Sequence, residues 1–265
     1  MLALPLYDDS PKTRLPAVTG GLIAACSLVF LWQLGLDDAA SDDASLSFGM
    51  VPAVLFGYAR LPADLQVVPP GATLITSMFL HGGVLHLVGN MLYLWIFGKG
   101  VESALGPVRF LLFYLLCGAA AALTQAITAP MADVPMIGAS GAIAGTLGAY
   151  LLLHPRGNVV VLLWIVIFAR LITLPAVILL GIWFALQLIS ALSMDPGEPG
   201  VAFWAHVGGF LAGMVLVLVL RPSGVPVMQQ RRTAPFTVAL PRARGRGLGG
   251  SVPPAGRREP PASWG

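Results

Sequence analysis

FWAHVGGFLAGMVLVLVL, residues 203–220, contains no Asp, Glu, Lys or Arg and ends against Arg221. A helix that turned one face to water would show a polar stripe, and this stretch has none. At 1.5 Å per residue it would reach about 27 Å, close to the roughly 30 Å hydrocarbon thickness of a bilayer. Lipid offers no partner to backbone N–H and C=O groups, so such a segment must pair them internally, as a helix. The run is therefore read as a membrane span. One residue in it does not suit lipid: His206, near its start.

The whole chain agrees with that reading. Of 265 residues, 57% are hydrophobic and only 10% charged, and mean hydropathy is +0.83. A soluble domain carries about 25% charged residues. Six apolar runs are long enough to span: about 17–36, 78–98, 108–127, 136–154, 174–193 and 203–220. The expected class is an all-α polytopic membrane protein, a six-helix bundle with cytoplasmic N- and C-termini. Three regions follow: a cytoplasmic segment 1–16, the transmembrane core 17–220, and a basic Pro/Gly-rich tail 221–265, expected to be disordered and able to touch anionic lipid.

Charge placement supports an even number of spans. With the N-terminus inside, every Lys and Arg except Arg60 falls on the inner side. Asp37, Asp38, Asp42, Asp43, Asp64, Asp133, Asp195 and Glu198 fall outside. Excess Lys and Arg on the cytoplasmic side is the expected bias. A seventh span hidden in the apolar stretch 159–190 would send the arginine-rich tail outside, so 159–173 is read as an interfacial loop leading into the fifth helix. The first apolar run exceeds the usual 7–15 residues of a signal-peptide core, so it is read as a retained anchor. The basic residues mark membrane topology, not nucleic acid. Cys26 and Cys117 lie in apolar runs and suggest neither a disulfide nor a metal site.

Polar residues inside spans carry the functional information. His86 and Asn90 lie in the second span, Ser140 near the start of the fourth and His206 near the start of the sixth. These three spans run in one direction, so Ser140 and His206 arrive at matched depth, about 5 Å below the outer end. His86 and Asn90 are four apart and share a helix face. A serine hydroxyl becomes nucleophilic beside a base, and imidazole is the natural base near neutral pH. The oxyanion formed on amide attack needs donors; the His86 imidazole, the Asn90 amide and the Ser140 backbone N–H can supply them. No acidic residue lies at that depth, so a Ser–His dyad is expected and not a triad. Each residue alone also has a structural explanation, as helix glue or a packed polar pair. Gly141-x-x-x-Gly145 and Gly209-x-x-x-Gly213 are small-residue seams that would bring the fourth and sixth helices together. His81 and His86 are five apart and lack the His-Glu-x-x-His spacing, so no metal or cofactor is expected. His81 is placed at the outer mouth of the second helix, and His154 is read as a surface or capping residue.

In these residues the chain resembles the rhomboid intramembrane serine proteases. The matching pieces are HGGVLHLVGN (81–90), VESALG (101–106), GASG (138–141) and AHVGG (205–209) followed by Gly213. The resemblance covers about 75–225. It implies a six-helix core around a cavity open to the outside, with Ser140 as nucleophile and His206 as base. His86, Asn90 and the Ser140 N–H would form the oxyanion hole, and Glu102 would bond within the turn between helices 2 and 3. Implied substrates are transmembrane helices of other proteins, cut near their outer end. The segment 194–201 would cap the cavity, and helix 5 would border the route by which substrate arrives. Two family features are missing: a Trp-Arg pair in the first outer loop, and an aromatic four residues after the serine, where this chain has Ala144. Two other functional classes make different demands on the sequence. An inactive relative that binds or chaperones membrane helices would typically lack Ser140 or His206. A transporter would continue its polar path toward the inner face. The expected location is a bacterial plasma membrane, with the lipid bilayer and transmembrane substrates as partners.

Overall fold

Long apolar runs can satisfy their backbone in lipid only as helices or closed barrels, and helices dominate this chain. The computed structural model describes residues 2–10, 15–165, 168–195, 197, 200–229 and 236. Its helices are α1 (Ala17–Gln33), α2 (Asp38–Phe48), α3 (Pro52–Leu55), α4 (Thr73–Thr76), α5 (Val84–Tyr93), α6 (Lys99–Leu105), α7 (Pro107–Thr128), α8 (Ser140–Leu153), α9 (Ala176–Ser193) and α10 (Phe203–Leu220). A π-turn at Leu94–Gly98 joins α5 and α6 into one continuous helix, Val84–Leu105. Four helices among the described residues are long and apolar enough to cross a membrane: Val84–Leu105, α7, α9 and α10. Two shorter apolar helices, α1 and α8, accompany them.

The expectation of an all-α protein needs correction. A three-stranded antiparallel sheet, in the order β1 (Leu2–Asp8), β2 (Asn158–Ile165), β3 (Phe168–Pro175), forms at one end of the bundle. Of the stretch 159–173, expected as an interfacial loop, residues 159–165 and 168–173 form the paired antiparallel strands β2 and β3, in which Val159 pairs with Leu174 and Val161 with Ile172. β-Branched residues favour extended backbone. Val159 and Val161 are fully buried while Val160 between them is half-buried, the period-2 pattern of a strand. Part of the segment 1–16, expected as a plain tail, supplies β1, with Leu4 opposite Leu162 and Asp8 opposite Val159. Its Pro5 is tolerated because β1 is an edge strand.

Helix boundaries also differ from the sequence expectation. The second span starts at Val84, not near 78. Residues 77–79 form a 3₁₀ turn, and Gly83 adopts φ +155°, which ends any helix before it. The same span continues to Leu105, so Glu102 lies within a helix. Its carboxylate does not bond within the following turn. It accepts from Val18 N (2.9 Å), Thr19 N (2.8 Å) and Thr19 Oγ1 (2.6 Å), at the N-terminus of α1. Pro16 offers α1 no side-chain cap; a buried carboxylate from another helix takes that role and faces the positive end of the helix dipole.

α8 is the axis of the bundle. Every residue from Gly141 to Tyr150 is buried. Its glycines and alanines let neighbours approach closely: a Cβ on Gly145 would lie 3.0 Å from the Gly209 carbonyl oxygen, and one on Gly213 only 2.5 Å from Gly145 Cα. The two seams read from the sequence thus meet each other. α9 is peripheral; 17% of its most apolar window is buried, against 50% for α7. His154, expected as a surface or capping residue, is the C-cap of α8 but is buried, its ring 5.1 Å from that of Tyr150. Beside it the Tyr150 hydroxyl donates to Asp8 Oδ2 (3.0 Å), tying β1 to the end of α8. The tail segment 222–229 folds back, with Met228 N and Gln229 N donating to the carbonyls of Leu152 and Leu153. The expectation of disorder covers all of 221–265; of that tail, residues 230–235 and 237–265 lie outside those described.

Candidate active site

At the end of the bundle opposite the sheet lies a cavity of about 610 Å³. Ser140, His206, His86 and Asn90 all line it, so the structure brings the four sequence-selected residues together. Ser140 is the first residue of α8, not several residues into its helix as expected. Gly138, with φ +124°, precedes it and keeps the chain from entering the helix earlier. A first helical residue has no intrahelical acceptor for its N–H. Ser140 therefore offers both a hydroxyl and a backbone donor at the positive end of a helix dipole.

His206 lies in the first turn of α10, three residues after Phe203. Its Nε2 is 2.9 Å from Ser140 Oγ. Its Nδ1 is 2.7 Å from Gln187 Oε1 on α9. The Trp183 ring, one turn before Gln187, is tilted 37° to the imidazole at 5.9 Å, and Phe203 meets it edge-on at 6.4 Å. The support that Ala144 cannot give from α8 thus comes from α9 and α10. Sequence reasoning missed Gln187 and Trp183, although a signal was present. Gln187 is the only amide in the apolar run 176–193, and it lies four residues after Trp183, on the same helix face.

Opposite this pair, the loop that begins α5 presents its donors. The backbone N–H of Gly82 donates to His86 Nδ1 (3.3 Å). A nitrogen that accepts is unprotonated, so the remaining proton lies on Nε2. A Cβ on Gly138 would fall 2.9 Å from that Nε2 and 3.8 Å from Asn90 Nδ2, so both nitrogens approach the backbone just before Ser140. Asn90 is buried and its Nδ2 has no hydrogen-bond partner among the described residues. A buried amide left with free donors is costly, and such donors are what a developing oxyanion requires.

The surroundings hold this geometry. His81 lies three residues before α5, at the outer end of that helix, and is buried; its N–H donates to Gln33 Oε1 at the end of α1 (3.0 Å), and its ring packs edge-on against His86 at 5.2 Å. Gln125 Oε1 of α7 accepts from Ala205 N (3.3 Å), anchoring the start of α10. Of the segment expected to cap the cavity, Gly200 and Val201 line it, and residues 196, 198 and 199 lie outside those described. Among the described residues no three His, Cys, Asp or Glu side chains gather as metal ligands would.

A family described as the Rhomboid domain matches residues 71–223. RHOMBOID-like protein 5 of Arabidopsis thaliana is 35% identical over 152 residues, covering 56% of this chain and 44% of that protein. RHOMBOID-like protein 6, mitochondrial, from the same plant is 32% identical over 151 residues, covering 56% of this chain and 44% of that one. Rhomboid protease GluP of Bacillus subtilis (strain 168) is 45% identical over 78 residues, or 29% of this chain and 15% of that protein. The chain thus spans less than half the length of these curated relatives.

Proposed function

The chain belongs to the rhomboid family, and from that premise we propose that it is an intramembrane serine endopeptidase that hydrolyses peptide bonds in or near transmembrane helices of other proteins. The observation that carries this reading is the 2.9 Å contact between His206 Nε2 and Ser140 Oγ, at the head of a cavity that His86 and Asn90 also line. The name of the Bacillus relative is consistent with it.

In this mechanism His206 Nε2 takes the hydroxyl proton as Ser140 Oγ attacks the scissile carbonyl. The carbonyl oxygen becomes an oxyanion, bonded by His86 Nε2–H, the Asn90 amide and the Ser140 N–H. Collapse breaks the C–N bond, and the imidazolium returns its proton to the departing amine. Water then enters the cavity, gives a proton to His206 and attacks the acyl-serine. A second collapse breaks the bond from the acyl carbon to Oγ, His206 returns its proton to Oγ, and the acid leaves. Extended backbone must reach Ser140, so a substrate helix has to unwind locally; small or helix-breaking residues favour that.

The full arrangement is proposed as six membrane helices, with α1 and α8 completing the four longer ones, within a core spanning 17–220. Both termini are taken as cytoplasmic from the basic-residue bias. The protein is a membrane protein. The relatives include a plant protein named as mitochondrial, so they give the bacterial plasma membrane no preference over another. A transporter gains no support: the side chains that α8 adds to the cavity wall beyond Ser140, Ile143 and Leu147 among them, are apolar, and Thr146 bonds its own helix at the Ala142 carbonyl. The test is cleavage of a transmembrane peptide in proteoliposomes. Ser140→Ala and His206→Ala should each abolish it while inserting and purifying normally; wild-type cleavage by either rejects the dyad.

A further inference from the structure

We propose that Gln187 is the positioning residue of the pair: its side-chain oxygen keeps the His206 proton on Nδ1, leaving Nε2 free to accept from Ser140. The inference rests on the serine-protease reading and names a residue that neither the motifs nor that reading assigns. Its basis is a linear chain of contacts, Gln187 Oε1 to His206 Nδ1 at 2.7 Å and His206 Nε2 to Ser140 Oγ at 2.9 Å. A neutral imidazole carries one proton, so the group that accepts at one nitrogen decides what the other can do. An amide can turn its oxygen or its nitrogen toward a partner. With the nitrogen turned inward, the imidazole proton would sit on Nε2, point at Ser140 Oγ and block proton abstraction. Oxygen inward is the orientation that makes Nε2 a base.

The composition of α9 argues that this contact is not incidental. Its outer residues Val177, Ile178, Ile182, Leu186, Ile189 and Leu192 are exposed apolar side chains suited to lipid. An amide on such a helix is unfavourable without a partner. Gln187 turns inward to the imidazole, and Trp183 packs over the same ring at 5.9 Å. α9 therefore fixes the ring by two contacts one turn apart. In position, Gln187 stands where a triad would have a carboxylate. A neutral acceptor can set the tautomer but supplies no negative charge to the imidazolium formed during attack.

The experiment compares wild type, Gln187→Leu and Gln187→Glu in three measurements: kcat and KM for a transmembrane peptide in proteoliposomes, Tm, and ¹⁵N spectra of the His206 ring. Gln187→Leu should lower kcat roughly 10²-fold, within the range assigned to acid–base positioning. KM and Tm should stay near wild type, and the ring proton should redistribute toward Nε2. Gln187→Glu keeps an acceptor, so it should retain most of kcat. Its carboxylate should favour the imidazolium and move the acid limb of the kcat profile to higher pH. The ¹⁵N shifts of the ring assign that limb to His206, because a second imidazole, His86, lines the same cavity with His81 packed against it; α9 carries no ionisable side chain and α10 none besides His206. α8 carries only Tyr150, near its far end, α7 carries Arg109, Tyr114 and Cys117, and α5 carries His86 and Tyr93. Three results overturn the proposal: wild-type kcat in Gln187→Leu, a wild-type proton on Nε2, or kcat falling only in parallel with Tm in both variants. If the wild type itself does not cleave, the protease reading fails, and the ¹⁵N spectrum still decides the role of Gln187.

Discussion

Replacing Gly213 with Ala tests whether helix packing sets the distance between Ser140 and His206. A Cβ there would run into the Gly145 carbonyl oxygen and lie 2.5 Å from both Cα and the carbonyl carbon of Gly145, where ordinary contact begins at 3.4 Å. The obstacle is backbone on a fully buried helix, which cannot rotate aside. α10 must move away from α8 by at least about 0.9 Å to restore normal contact. Moving as a rigid element, it would open the 2.9 Å Nε2–Oγ bond to about 3.8 Å or more, outside hydrogen-bonding range. A misplacement of about 1 Å costs roughly 10²-fold in rate. Stability should change less. Overpacking costs about 1–3 kcal/mol, and the better helix propensity of Ala returns about 1 kcal/mol. The assay is kcat on a transmembrane peptide in proteoliposomes, with Tm on the same preparations. Gly181→Ala is the control, because a Cβ at Gly181 meets nothing within 4 Å; it should keep wild-type kcat and an equal or higher Tm. Wild-type kcat in Gly213→Ala would refute the claim that the seam fixes the dyad.

His86→Ala and Asn90→Ala should each lower kcat about 10²–10³-fold, the usual cost of one oxyanion donor, with non-additive effects in the double variant. Full activity with reduced Tm would make them packing residues. Glu102→Ala removes three bonds at the start of α1. It should cost about 2–4 kcal/mol, since it strands buried donors; kcat per folded molecule should hold, and unchanged Tm would contradict the capping role. Tyr150→Phe removes the bond to Asp8 and should destabilise by about 1–2 kcal/mol, with faster hydrogen exchange in β1; unchanged exchange there would show that the bond does not hold the strand. A reporter fused after Arg221 should report a cytoplasmic location, and an external one would reject the even number of spans.

The parts of this fold legible in the sequence are those that lipid dictates. Helix is compulsory for a long apolar run, and a histidine or serine stands out there because it is costly. That logic found Ser140, His206, His86 and Asn90. It failed at 159–173, where nearly every residue is apolar and the period-2 alternation of a strand has no polar half to reveal it. The strand that completes the sheet, β1, lies some 150 residues earlier, and pairing at that distance leaves no local mark. Glu102 was misplaced for a similar reason: its partners Val18 and Thr19 are met only through packing. Gln187 differs, since a lone amide in an apolar helix follows the rule that singled out the other four and could have been named from it.

The central claim is that Ser140 is a nucleophile activated by His206, and labelling with a fluorophosphonate tests it most directly. The reagent phosphonylates a serine only when its hydroxyl is deprotonated by a neighbouring base, so it reports activation without requiring the natural substrate. Wild-type protein in liposomes should take up one label, mapped by mass spectrometry to Ser140. The label should persist in His86→Ala and Asn90→Ala and vanish in His206→Ala. Labelling at another residue, or undiminished labelling of Ser140 in His206→Ala, would contradict the account.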